Sequence, residues 1–143
     1  MARIKIEIQG TCLGTVIVPV RITDVNYGGH VGNDAIVALL HEARVQWLKQ
    51  HSYSEMDFAG SALIMSGLSV EFKNEAFFGD ELSIEIYAGE ITRVGFELLY
   101  VINTIRQQKH SLIARAMTNM VCFNYQTKKL IPVPEAGITL LTS

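Results

Sequence analysis

Between Asp24 and Arg44 the sequence gathers side chains able to move protons and hold polar atoms: Asp24-Val25-Asn26-Tyr27-Gly28-Gly29-His30-Val31-Gly32-Asn33, then His41-Glu42-Ala43-Arg44. Asp24 and Asn26 are two positions apart, so on an extended backbone their side chains share a face. A carboxylate there can accept a proton. Asn26 can orient a water or hold an oxyanion but is no base at neutral pH. His30 adds an imidazole able to donate a hydrogen bond to a carbonyl or a leaving group. Gly28, Gly29 and Gly32 let backbone approach a ligand closely. They lead into a segment of helical periodicity, whose N-terminus would present unpaired N–H groups and a partial positive charge. Glu42 belongs to that otherwise apolar helix, where burial raises a carboxyl toward values suited to base work. Asp24, Asn26, His30 and Glu42 are thus the candidate catalytic residues, and Tyr27, Gly28, Gly29 and Asn33 the candidate substrate-binding ones. Each has a structural alternative. The glycines make a turn, Asp24 bonds to the glycine loop, and Glu42 pairs with Arg44 or a strand residue. His30 orders the loop, and Asn33 or Asp34 caps the helix.

Other chemistries lack their signatures. His30, Asp34 and His41 do not have a familiar ligand spacing, so no metal is expected. There is no Gly-x-Ser-x-Gly elbow and no dinucleotide or phosphate fingerprint. Cys12 and Cys122 are far apart in strand-like contexts and read as buried or inert thiols. The net charge is −2, and Lys128-Lys129 is the only adjacent basic pair, which argues against nucleic acid as a partner. Charges interrupt the first apolar residues, and no run reaches membrane-spanning length. The expectation is a soluble, cytoplasmic protein with no membrane partner.

The chain is long enough, at 143 residues and 15.9 kDa, for one real core, so a single domain over 1–143 is expected. Charged residues make up 18% of it, against about 25% in an average soluble chain, which suggests that another subunit covers some surface. Residues 3–9 alternate with period two and read as a strand. Gly10 to Gly14 reads as a turn, and a second strand runs from Thr15 to about Asp24, with Pro19 favouring an edge. A helix follows to about Gln50. Ile36, Leu39, Leu40, Ala43 and Trp47 form one face, while Val37, Ala38, Val45 and Leu48 populate others, so the helix must be wrapped on several sides. Strands are expected at Leu63–Phe72, Glu81–Glu90, Phe96–Ile105 and Ser111–Tyr125, with Asn74–Asp80 and Arg106–His110 as loops. Short connections make them antiparallel. The pattern is α+β, a curved antiparallel sheet around a long central helix.

The loop and helix residues resemble the start of hotdog-fold thioesterases, in the branch like 4-hydroxybenzoyl-CoA thioesterase. There the usual run is Asp-x-Asp-x-x-Gly-His-Val-Asn-Asn, followed by Glu-Ala-Arg on the helix. Ala76-Phe77-Phe78-Gly79-Asp80-Glu81-Leu82 is similar to the family's loop before its third long strand, with Glu75 in place of the common Pro. The resemblance covers roughly residues 15–125. It implies a homodimer whose sheets join edge to edge, often a dimer of dimers (a homotetramer), with acyl-thioester sites at the subunit interface. It implies no metal and no held cofactor, since coenzyme A or acyl carrier protein arrives with the substrate.

Thioester hydrolysis needs a carboxylate as nucleophile or base, donors for the developing oxyanion, and an acyl slot. The family's usual catalytic Asp falls at Asn26 and its other Asp at Asp24. Its His falls at His30, its second Asn at Asn33, and a helix-borne carboxylate of related enzymes at Glu42. The implied activity is hydrolysis of an acyl-CoA or acyl-carrier-protein thioester to a carboxylic acid and free thiol. Two alternatives are a noncatalytic acyl-thioester binding module, in which Asn26 marks lost hydrolysis, and a hydroxyacyl-thioester dehydratase using His30 and Glu42. Phe72, Phe77, Phe78, Phe96 and Phe123 are candidates for lining the acyl slot.

Overall fold

Period-two runs rich in β-branched residues fold as strands, and the 3.6-residue pattern between them folds as a helix lying on the resulting sheet. The computed structural model describes residues 4–143. In chain order it contains β1 (Cys12–Pro19), a 3-10 turn (Ile22–Asp24), α1 (Asn33–Gln50), β2 (Ala62–Phe72), β3 (Glu81–Ile91), β4 (Gly95–Arg106), β5 (Lys109–Asn124), β6 (Lys129–Leu130) and α2 (Glu135–Leu141). The curved sheet runs β1-β3-β4-β5-β2 with β6 beside β5, and every pairing is antiparallel. This is the expected α+β arrangement. β1 and β2 are its edges, and Pro19, which has no N–H to donate, ends an edge strand as anticipated.

Inward-facing Leu82, Ile84 and Ile86 of β3 and Leu98, Tyr100 and Ile102 of β4 are fully buried, as are Ala43, Trp47 and Leu48 of α1. At roughly 1.5–3 kcal/mol per large apolar side chain, this layer is the main source of stability. Gly14 on β1 makes room for the helix, since a β-carbon there would lie 2.8 Å from Trp47 Cδ1.

Several boundaries differ from the sequence expectation. Arg3 lies outside the described residues, and Ile4–Gln9 form no strand. Only Ile6 of this segment is buried, and its N–H donates to Glu71 Oε1 at 3.3 Å on β2. Glu71 lies opposite Arg115, which in turn lies opposite Val101, out of phase with buried Ala116 and Tyr100, so Glu71 lies on the face of the sheet away from α1. From there the chain reaches Cys12, opposite Tyr87 of β3. Six extended residues cover about 20 Å, roughly the width of the five-stranded sheet. The segment is thus long enough to pass from β2 to β1 without pairing with a strand. The second strand starts earlier than expected and stops at Pro19, where the 3-10 turn takes over. β5 begins at Lys109, because Gln107 and Gln108 (φ 50° and 64°) form a two-residue hairpin turn of the kind that matches strand twist.

The helix starts as expected, but its N-cap is Gly32, with no side-chain cap from Asn33 or Asp34. It is also less enclosed than its pattern implies, with Ala38 and Val45 exposed and Val37 half-buried on the single chain. Cys122 is buried, whereas Cys12 is exposed with its thiol donating to the Gly14 carbonyl. β6 and α2 were not foreseen; α2 packs its Gly137 against the Phe58 ring. Among the described residues no helix is long and apolar enough to cross a membrane.

Candidate active site

The loop joining β1 to α1 is closed by its own backbone. Asn26 N–H donates to His30 O (2.9 Å), Gly29 N–H to Asn26 O (3.0 Å) and Gly32 N–H to Asp24 O (3.2 Å). Gly29 has φ +86°, a conformation that favours glycine. Asn26 Oδ1 accepts the Gly28 N–H at 2.9 Å, and among the described residues the Asn26 NH2, 3.8 Å from where a β-carbon at Gly32 would lie, has no acceptor. A β-carbon at Gly28 would sit 3.1 Å from Asn26 Oδ1 and 3.5 Å from His30 Nε2, so the amide and the imidazole flank this glycine. Tyr27, at the tip, is fully exposed.

His30 Nδ1 lies 3.2 Å from the Val31 carbonyl, and Nε2 lies 3.9 Å from Glu75 Oε1. Glu75 arrives on the loop after β2, which is fastened to the first loop where Val31 N–H donates to Ala76 O at 2.8 Å. Between the two loops and the start of α1 is a cleft of about 180 Å³, lined by His30, Asn33, Ile36, Phe72, Lys73 and Glu75 among others. The first intrahelical bond of α1 is Ile36 N–H to Gly32 O, and no side chain caps the N-terminus, so the amides of Asn33, Asp34 and Ala35 stand without backbone partners. Their combined positive end suits a developing oxyanion.

Two carboxylates named from sequence are placed differently. Asp24 is buried, and its carboxylate accepts the backbone N–H of Arg21 (2.9 Å) and the Arg21 guanidinium (3.2 Å). Burial would raise this carboxyl, but the bonds and charge of Arg21 outweigh it and hold it below the usual range. Glu42 is exposed and accepts a hydrogen bond from Gln46 at 2.6 Å. It lies on the Arg21 side of the helix, where its charge adds slightly to the bonding and charge of Asp24 that raise the guanidinium. The fold thus brings together Asn26, Gly28, His30 and Asn33, keeps Asp24 beneath them, and sets Glu42 apart.

Sequence reasoning passed over two further features. One is Glu75, whose signal was its replacement of Pro in the family loop. The other is a buried network under a groove of about 370 Å³ between α1 and β2, lined by Val37, Ala38, His41, Arg44, Met65 and Leu68 among others. Arg44, 5% exposed, donates from Nε to Glu55 Oε2 (2.9 Å) and from NH1 to Tyr100 Oη (3.2 Å). Tyr100 Oη meets Thr118 Oγ1 at 2.8 Å, and His41 Nε2 meets Glu55 Oε1 at 2.6 Å. Burial pushes the Tyr100 hydroxyl up, so it stays protonated, and either hydroxyl of the Tyr100–Thr118 pair can be the donor. Of the aromatics proposed for a slot, Phe72 lines the cleft, while Phe77 stacks under the Arg106 guanidinium. Among the described residues no group of three or more His, Cys, Asp or Glu side chains is placed to hold a metal.

A family model described as the thioesterase-like superfamily matches residues 20–138. A 1,4-dihydroxy-2-naphthoyl-CoA hydrolase of Rippkaea orientalis is 24% identical over 127 residues, covering 87% of this chain and 91% of its own. The crystal structure of a 1,4-dihydroxy-2-naphthoyl-CoA thioesterase from Synechocystis superposes with a TM-score of 0.78 at 25% identity, covering 89% of this chain and 93% of that one. A 4-hydroxybenzoyl CoA thioesterase mutant complexed with 4-hydroxybenzoyl CoA gives a TM-score of 0.79 at 19% identity, covering 89% and 96%. The curved sheet and the helix on it are those of the hotdog fold, and the chain belongs to the thioesterase-like superfamily.

Proposed function

We propose that this protein hydrolyses an acyl-CoA thioester to a carboxylic acid and free thiol. The observation that carries the reading is the cleft at the uncapped start of α1, lined by His30 and Asn33, with the Asn26 amide held beside His30 across Gly28. Amides at a helix N-terminus stabilise the tetrahedral oxyanion, Asn26 orients water or the substrate carbonyl, and Gly28 and Gly29 admit the thioester between backbone walls. Asp24 holds the loop through Arg21. In this reading Tyr27, exposed at the tip, meets the coenzyme A or carrier-protein portion. On the same reading the protein works in the cytoplasm, where acyl-CoA is available to it.

The working unit in this reading is a homodimer, or a dimer of dimers, joined through β2. Among the described residues that strand is an 11-residue edge with one side unpaired, bearing exposed Met65, Leu68 and Phe72 next to half-buried Val37 and exposed Ala38 of α1. An edge of this length is a template for pairing with a second copy. Light scattering should give twice or four times the chain mass.

The test of activity is free-thiol release from short, long and aromatic acyl-CoAs and from an acyl-carrier-protein thioester. Release from none of them by folded protein sinks the reading. Asn26 supports a second reading, a noncatalytic acyl-thioester binder. It predicts a raised melting temperature with acyl-CoA and no turnover.

A further inference from the structure

Of the carboxylates near the loop, Asp24 is held by Arg21 and Glu42 lies with Gln46, while Glu75 is carried to the cleft by the Val31–Ala76 bond. Its Oε1 stands 3.9 Å from His30 Nε2. On the other side of the ring, Nδ1 is in hydrogen-bond range of the Val31 carbonyl at 3.2 Å. A carbonyl can only accept, so Nδ1 carries the proton of the neutral ring and the lone pair is on Nε2, toward the cleft. Lys73, the nearby ammonium, is paired with Glu71 Oε2 at 2.9 Å and leaves Glu75 to His30.

We infer that His30 Nε2 is the proton acceptor for the attacking water and that Glu75 is a positioning residue, supplying the negative charge missing at Asn26. The assignment rests on the thioester-hydrolase reading. Water oxygen bonds to the thioester carbonyl carbon as its proton passes to Nε2. The oxyanion is held by the amides at the start of α1. Its collapse re-forms the carbonyl and breaks the C–S bond, and the thiolate takes the proton back from Nε2. Acid and thiol leave with no change of oxidation state and a neutral ring restored. At 3.9 Å the Glu75 carboxylate acts on the imidazolium by charge, beyond direct hydrogen-bond length.

The test measures kcat and KM for wild type, His30→Gln, His30→Ala, Glu75→Gln and Glu75→Asp on a thioester the wild type cleaves. His30→Gln should lower kcat by about 100-fold or more, the usual weight of a general base. Imidazole in the buffer should restore part of the His30→Ala rate. Glu75→Gln should lower kcat by about 3- to 10-fold at unchanged KM, with Glu75→Asp recovering most of it; a merely structural role would move KM or the melting temperature instead. Glu75 is an exposed loop side chain, so its variants remain informative even where a His30 variant misfolds. An active wild type with His30→Gln within threefold of it, or with Glu75→Gln altering only KM, overturns the His30–Glu75 assignment and leaves the hydrolase standing. A wild type that cleaves nothing overturns both.

Discussion

Replacing Glu55 with Ala removes the carboxylate partner of a guanidinium that is only 5% exposed. Breaking a buried pair from one side leaves the other charge uncompensated and costs about 3–5 kcal/mol. The Glu55 side chain is 25% exposed, so water replaces part of the interaction and the lower figure, about 3 kcal/mol, is the expectation. With an unfolding entropy of about 2.1 cal/mol/K per residue, that lowers the melting temperature of a chain this long by about 10 °C. The companion variant Arg44→Met removes the charge itself and fills much of the volume. It leaves the Tyr100–Thr118 bond in place. The double variant Arg44→Met/Glu55→Ala should therefore be no less stable than Glu55→Ala alone, and more stable than the sum of the two single losses by at least about 1.5 kcal/mol. Calorimetry or circular-dichroism melts at one fixed protein concentration measure all four proteins, since self-association shifts apparent stability. Additive losses, or a Glu55→Ala loss below about 1 kcal/mol, would refute the claim that this pair is a coupled buried charge.

Burial favours a raised Asp80 carboxyl, but Arg106 and the Phe77 N–H outweigh it and hold the group below the usual carboxylate range. Its contribution is therefore complete above that range and is lost as pH falls through the lowered value. Asp80→Asn should cost about 1–2 kcal/mol at pH 7 in urea unfolding and converge with wild type in strong acid. Gly28→Ala puts a methyl group between Asn26 Oδ1 and His30 Nε2 and should cut kcat/KM about tenfold while the melting temperature moves by about 2 °C or less. Gly137→Ala drives a β-carbon to 2.5 Å from the Phe58 ring and should destabilise by about 1–3 kcal/mol without changing KM.

The sheet was legible because alternation in Leu82, Ile84 and Ile86 is a local signal that burial enforces, and the same holds for the i, i+3, i+4 face of α1. The expected strand over 3–9 shows where that logic stops. Ile4, Ile6 and Ile8 alternate as a strand would, yet both faces of the sheet and its two edges were available, and periodicity does not say which one a segment meets. The site was half legible. Asn26, Gly28 and His30 are neighbours in sequence and stay neighbours in space. Glu75 reaches them through one long-range bond, Val31 N–H to Ala76 O, that no spacing reveals. Closeness on the chain offers Arg44, with a strand residue as the alternative, as a structural partner for Glu42. On a helix, positions two apart point to different sides, and the fold gave Arg44 to Glu55.

The strand order β1-β3-β4-β5-β2 also dictates a sequence of events in time. β3, β4 and β5 are consecutive hairpins with short connections and close quickly. β1 must wait for β3, with Cys12 finding Tyr87, and β2 for β5, with Ala62 finding Phe123, each across a long loop whose closure entropy has to be overcome first. The glycine loop and α1 lie between these two late strands. The chemistry-bearing segment is thus fixed after the central meander, and substitutions between Asp24 and Asn33 should speed unfolding while leaving the folding rate nearly unchanged. That timing gives the loop room to vary without endangering the route by which the sheet forms.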